Sequence, residues 1–188
     1  MSTVPVNGFI LAGGQSSRMG RDKALLDWHG RTLVSHMIHI LGTATDEVQV
    51  VGRDPLPDRI PGRGPLSGIA TALEVSSTDT NLILAVDLPF LTKDFLLYFR
   101  SQIERSSRRL FACKIGSHFP LCLGVRKVLL STIEPLLLSK DWSVHAWITT
   151  SDAEILSELQ LQSAGFDNSI FRNLNTPDDY KGTHPEFL

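Results

Sequence analysis

A short apolar run, Val6–Leu11, ends abruptly at Ala12-Gly13-Gly14, and no other feature of the 188-residue sequence restricts the fold as strongly. A strand-length apolar segment that stops at glycine reads as a buried β-strand feeding a loop. That loop belongs to the stretch LAGGQSSRMGRDKALL, residues 11–26. Gly13, Gly14 and Gly20 can adopt positive φ and let a ligand approach the backbone, so that amide groups converge on phosphate oxygens. Arg18 and Lys23 add two cations to the same stretch. Two better-known phosphate motifs are excluded. A Walker loop requires GxxxxGK[ST], whereas Gly20 is followed by Arg21 and Asp22, and the dinucleotide fingerprint GxGxxG requires a residue between glycines that here are adjacent. A glycine pair alone is more often an ordinary strand-to-helix loop. The two cations tip the reading to a site for the phosphates of a nucleoside triphosphate.

The remaining sequence supplies a sheet and its covering helices. Leu33, Met37, Ile40 and Leu41 recur at helical spacing and predict a helix over residues 32 to about 43, with Asp27-Trp28-His29-Gly30 as the turn before it. A second strand is expected at Glu47–Val51, a proline-containing loop at 52–64, and a helix starting near Leu66 from the spacing of Leu66, Ile69 and Leu73. Leu82-Ile83-Leu84-Ala85-Val86 is continuously apolar, as in a central parallel strand covered on both faces, and it stops at Asp87. Helices are expected at 93 to about 106 and, despite Pro135, at 127–138; strands at 110–115, 120–125 and near 155–161. Strands alternating with helices predict an α/β fold with a mostly parallel sheet. No repeat or long linker divides the chain, so a single domain over 1–188 is expected. In such sheets ligands bind at the carboxyl ends of the strands, which makes Asp87 a candidate site residue, although Asp-X-Pro also starts turns.

Composition excludes several classes. Hydrophobic residues at 42% and charged residues at 20% fit neither a disordered chain nor a coiled coil. A formal net charge of −2 argues against a nucleic-acid-coating surface. Cys113 and Cys122 form no CxxC pair and are expected to be small core residues in a reducing cytosol. The first residues lack a basic n-region, and no segment reaches the ~20 apolar residues a bilayer requires, so a cytoplasmic protein without a membrane anchor is expected. His36 and His39 have no third ligand nearby and read as surface residues. GxSxG is absent, which leaves no nucleophile elbow. Arg105, Arg108 and Arg109 read as a solvated helix end.

The stretch at 11–26 resembles the signature of the molybdenum cofactor guanylyltransferases, LAGG followed by S, RMG and DKAL. GPLSGI (64–69), AVDLPFL (85–91), FPLCLGV (119–125) and NLNTPDDY (173–180) fall in the same family order and extend the resemblance over nearly the whole chain. The resemblance implies a nucleotide-diphospho-sugar-transferase type of fold, a Rossmann-like three-layer α/β/α domain. It also implies transfer of GMP from GTP to the terminal phosphate of molybdopterin with Mg2+ and release of pyrophosphate. Transient contacts with proteins that donate or receive the cofactor would follow. By the same resemblance Leu11, Ala12, Gly13 and Gly14 contact the nucleotide, Lys23 its phosphates, and Asp87 both nucleotide and magnesium. Asp58 matches an aspartate that contacts guanine or ribose, and Gly64, Gly68, Asn173 and Asn175 fall on the cofactor side. Thr176 and Pro177 also read as a helix cap and first helical position. The chain departs from the pattern at Val50-Val51-Gly52-Arg53-Asp54, where some members carry an asparagine. Two rival readings are a transferase that uses CTP, on molybdopterin or on a sugar or alcohol phosphate, and a non-catalytic chaperone for the cofactor; cytidylyl relatives more often carry LAAG in place of LAGG.

Overall fold

In chain order the elements are β1 (Val6–Leu11), a hairpin of β2 (Asp27–Trp28) and β3 (Arg31–Thr32), α1 (Leu33–Leu41), β4 (Glu47–Val51), α2 (Gly64–Val75), β5 (Thr80–Ala85), α3 (Lys93–Arg105), β6 (Leu110–Lys114), β7 (Cys122–Arg126), α4 (Leu130–Leu138), α5 (Val144–Thr150), β8 (Ala153–Ser157) and α6 (Glu158–Ser163). They are seen in a computed structural model that describes residues 4–13, 22–139, 142–176 and 179–180. Six strands form one sheet in the order β4-β1-β5-β7-β6-β8. β7 alone runs against its neighbours β5 and β6; the other pairs are parallel. The expected mostly parallel sheet is therefore present. Its one reversed strand follows from the connection 115–121, which is too short for the crossover that a parallel neighbour requires.

The strands alternate their side chains between two apolar layers. Val6, Ile10, Leu82, Leu84 and Phe111 point toward Leu33 and Met37 of α1 and Phe95 and Phe99 of α3. Phe9, Leu11, Ile83, Leu110 and Leu123 point the other way, toward Leu66, Ile69 and Leu73 of α2, Ile133 of α4 and Trp147 of α5. Helices on both faces give the three-layer arrangement. Each such buried side chain contributes about 1.5–3 kcal/mol, so burial rather than intrinsic propensity holds these short helices. Where α3 crosses β7, a Cβ on Gly124 would lie 2.3 Å from Ile103 Cδ1, so glycine leaves room there for the Ile103 side chain. Cys113 and Cys122 are buried free thiols, and burial pushes both thiol pKa values up.

Local chemistry sets the boundaries. Thr32 caps α1 and Thr92 caps α3, each accepting a hydrogen bond from the backbone N–H three residues on. The turn expected at 27–30 closes the β2–β3 hairpin, with His29 and Gly30 both at positive φ. Three differences from the sequence expectation stand out. The strand placed near 155–161 is β8 followed by α6, which starts at a reciprocal cap between Ser157 and Gln160. α5 was not expected, although Ser143 caps it and Trp147 and Ile148 bury its inner face. The helix expected at 127–138 begins as a 3-10 turn, Lys127–Leu129, before α4. His36 is not a simple surface residue: it is half-buried, its Nε2 donates to the Pro89 carbonyl at 2.9 Å, and burial lowers its pKa. Arg108 pairs with Asp152 where β6 and β8 begin, at the end of the sheet away from the strand carboxyl termini. No described helix is long and apolar enough to cross a membrane.

Candidate functional site

Backbone hydrogen bonds continue past the ends of the central strands. Ala12 N donates to Val51 O at 2.8 Å and Val86 N to Leu11 O at 3.0 Å, so Ala12-Gly13 and Val86-Asp87 emerge side by side. They border a cavity of about 720 Å³ at the carboxyl end of the sheet. Leu11, Ala12, Gly13, Lys23, Asp58, Gly64, Gly68, Asp87 and Asn173 all line it. Nine residues singled out in the sequence thus converge on one space. Asn175 is outside that lining but accepts a hydrogen bond from Lys23 Nζ at 2.9 Å. Gly14, Arg18, Gly20 and Pro177 lie outside the described residues.

Lys23 occupies a single 3-10 turn, Lys23–Leu25, capped by Asp22, whose Oδ1 accepts from Ala24 N at 3.0 Å. The turn brings Lys23 Nζ to 3.7 Å from Asp87 Oδ2. The other carboxylate oxygen, Asp87 Oδ1, is buried with no hydrogen-bond partner among the described residues. Behind it, Leu174 N donates to the Asp87 carbonyl at 2.9 Å and ties the C-terminal segment to the site. Burial raises the Asp87 pKa, against the opposing pull of the Lys23 ammonium and of hydrogen bonds that include Asn173. The folded protein therefore holds this proton to a higher pH than the unfolded chain does. Stability falls as pH rises from the ordinary aspartate range through the raised value, and is level beyond it. Urea unfolding of the wild type and Asp87→Asn across that range is expected to show the variant gaining on the wild type as pH rises.

Asp58 is half-buried among glycines. A Cβ on Gly13 would lie 2.8 Å from Asp58 Oδ2, and one on Gly68 would lie 3.2 Å from Asp58 Oδ1. Burial raises this carboxyl's pKa as well. Gly52, at φ +92, presses backbone on backbone: a Cβ there would meet Gly13 N and Cα at 2.4 Å. Gly52 and Asp22 line the cavity and were not picked out from the sequence. Nor was Arg53, whose Nη2 donates to Asp22 Oδ2 at 2.8 Å and to the Ala12 carbonyl at 3.3 Å, clamping the Lys23 turn to the end of β1. Arg53 falls in the segment where some relatives carry asparagine.

The family model of the MobA-like NTP transferase domain matches residues 8–154. The chain belongs to this family. Among its MobA-like relatives is the probable molybdenum cofactor guanylyltransferase of Carboxydothermus hydrogenoformans, 32% identical over 92% of this chain and 91% of that protein. The molybdenum cofactor guanylyltransferase of Syntrophotalea carbinolica is 30% identical over 92% of this chain and 87% of its own length. A crystal structure of molybdopterin-guanine dinucleotide biosynthesis protein A from Archaeoglobus fulgidus shares the fold, with a TM-score of 0.73 at 18% identity over 94% of this chain and 96% of that one. The MobA-like match stops at residue 154, so Asn173, which lines the cavity, and Leu174 and Asn175, which bond to Asp87 and Lys23, all lie outside the matched segment.

Proposed function

We propose that the chain transfers GMP from GTP to the terminal phosphate of molybdopterin, residues 1–188 acting as one nucleotidyltransferase unit. The observation that carries this reading is the approach of Lys23 to Asp87, 3.7 Å apart, beside a nucleotide-sized cavity at the carboxyl end of the sheet. An acceptor phosphate oxygen attacks the α-phosphorus of GTP, the bond from that phosphorus to its bridging oxygen breaks, and pyrophosphate leaves with the electron pair. The reaction joins two anions, so the protein must mainly position and neutralise.

Lys23 takes a triphosphate oxygen, and Arg18 is assigned the second cation from its place in the sequence. Leu11, Ala12 and Gly13 present backbone to the nucleotide, Gly14 is assigned to it from its place in the sequence, and Asp58 accepts from its guanosine. Gly64 and Gly68 at the opening of α2, with Asn173 and Asn175, face the acceptor. The buried Asp87 Oδ1, which has no hydrogen-bond partner among the described residues, fits a magnesium ion, which prefers oxygen ligands and takes only one or two carboxylates. An ion held by Asp87 would offset charge on the phosphates. The names of the relatives support guanine and molybdopterin as the substrates. Brief contact with the proteins that deliver or receive the cofactor belongs to the same proposal.

With magnesium and molybdopterin the purified protein is expected to release pyrophosphate from GTP in preference to CTP or ATP. GTP at 100 times its dissociation constant should add about 2.7 kcal/mol of stability in a melting experiment. Release from CTP alone would move the base assignment, and release from none of the three would leave a binding protein.

A further inference from the structure

The described residues that line the nucleotide cavity carry three carboxylates, Asp22, Asp58 and Asp87, against a single ammonium, Lys23. That balance is the reverse of what a triphosphate needs. Two of the three carboxylates have an occupant in the transfer reading, a divalent ion for Asp87 and the guanosine for Asp58. Asp22 has none, and it stands next to the lysine that takes the phosphates. Its presence has a local cause: Oδ1 accepts from Ala24 N at 3.0 Å and so caps the turn that carries Lys23. The cap brings negative charge to a site that must admit anions.

Arg53 meets that charge. Its Nη2 lies 2.9 Å from Asp22 Oδ1 and 2.8 Å from Oδ2, and donates as well to the Ala12 carbonyl at 3.3 Å. A turn fixes the base of the side chain, with Leu56 N donating to the Arg53 carbonyl at 2.7 Å and Gly52 N to the Leu56 carbonyl at 2.8 Å. Arg53 Nε is buried with no hydrogen-bond partner among the described residues, so the guanidinium is aimed at Asp22 and Ala12 rather than satisfied all round. Arg53 does not itself line the cavity, and its route to a bound phosphate runs through Asp22.

We propose that Arg53 is a positioning residue for the triphosphate: it cancels the charge of Asp22, so that this carboxylate caps the Lys23 turn without repelling the phosphates. The inference rests on the reading of the cavity as a GTP site and adds which residue lets an acid-rich wall admit an anion. The two side chains are 28% and 43% exposed, so salt screens the effect.

The test is GTP binding, with magnesium, to the wild type, Arg53→Met, Asp22→Asn and the double variant, in about 0.02 M and about 0.5 M salt. Arg53→Met is expected to weaken GTP about tenfold in low salt and clearly less in high salt. In turnover the loss should fall on KM for GTP, with kcat within about twofold of the wild type. Asp22→Asn keeps an oxygen to cap Ala24 N without the charge, and should bind GTP at least as tightly as the wild type. In the double variant affinity should return to within about threefold of the wild type, although no bond to Arg53 has been restored. A bond that merely braced the turn predicts a double variant as weak as Arg53→Met and a deficit indifferent to salt, and either result would overturn the proposal. Weaker GTP binding by Asp22→Asn alone would overturn it too, and that comparison does not depend on Arg53→Met folding. A wild type that binds no GTP would instead overturn the nucleotide reading itself.

Discussion

Asp87→Asn is expected to lower turnover with GTP and molybdopterin by about a hundred- to a thousandfold while making the protein more stable at neutral pH. The first effect follows from removing a buried anionic oxygen that has no hydrogen-bond partner among the described residues and would hold a divalent ion, a loss typical of deleting a preorganised electrostatic group. The second follows because burial already opposes ionisation of this carboxyl, and the amide has the same shape without the charge. Steady-state pyrophosphate release and urea unfolding on the same preparations separate the two effects. A variant that turns over normally would remove Asp87 from the mechanism. One that is inactive and also less stable would show the carboxylate to be part of the fold's support.

Gly52→Ala is expected to cost about 3 kcal/mol or more of stability and to abolish measurable GTP binding. Two penalties coincide there. The backbone sits at φ +92, a conformation that strains a non-glycine residue, and the new methyl would lie 2.4 Å from Gly13 N and Cα. Backbone cannot swing aside as a side-chain tip can, so β1 and its loop must shift. Gly116→Ala is the control: φ is +56, but nothing lies within 4 Å of the added carbon, and only the milder strain of about 1–2 kcal/mol is expected. Chemical unfolding of both variants, with GTP titration, tests the distinction. Similar losses in the two would mean that the contact with Gly13 carries no weight.

The parts of this site that were legible from sequence are those that leave a local trace. An apolar run that halts at glycine marked β1, and one that halts at Asp87 marked the carboxyl end of the sheet. The direction of β7 left only an indirect trace, in the shortness of the stretch 115–121, because side-chain alternation is the same for a strand of either sense. α6 was legible in principle through Ser157 and Gln160, but its apolar residues continued those of β8 and blurred the boundary. Asp58, Asn173 and Asn175 were reached only through resemblance to a family, since nothing local separates them from solvated loop residues. The Arg53 and Asp22 clamp spans 31 positions and has no periodic signature. Gly52 looked like an ordinary turn glycine, and its contact with Gly13 exists only in three dimensions.

The bond between Lys23 and Asn175 joins residues 152 positions apart. The Lys23 turn is also held by Asp22 and Arg53 and by the approach to Asp87, so this bond adds a contact from the C-terminal segment to a lysine already placed by residues nearer in sequence. One hydrogen bond thereby links the phosphate-side turn to the C-terminal segment, so the position of that lysine draws on residues near both ends of the described sequence.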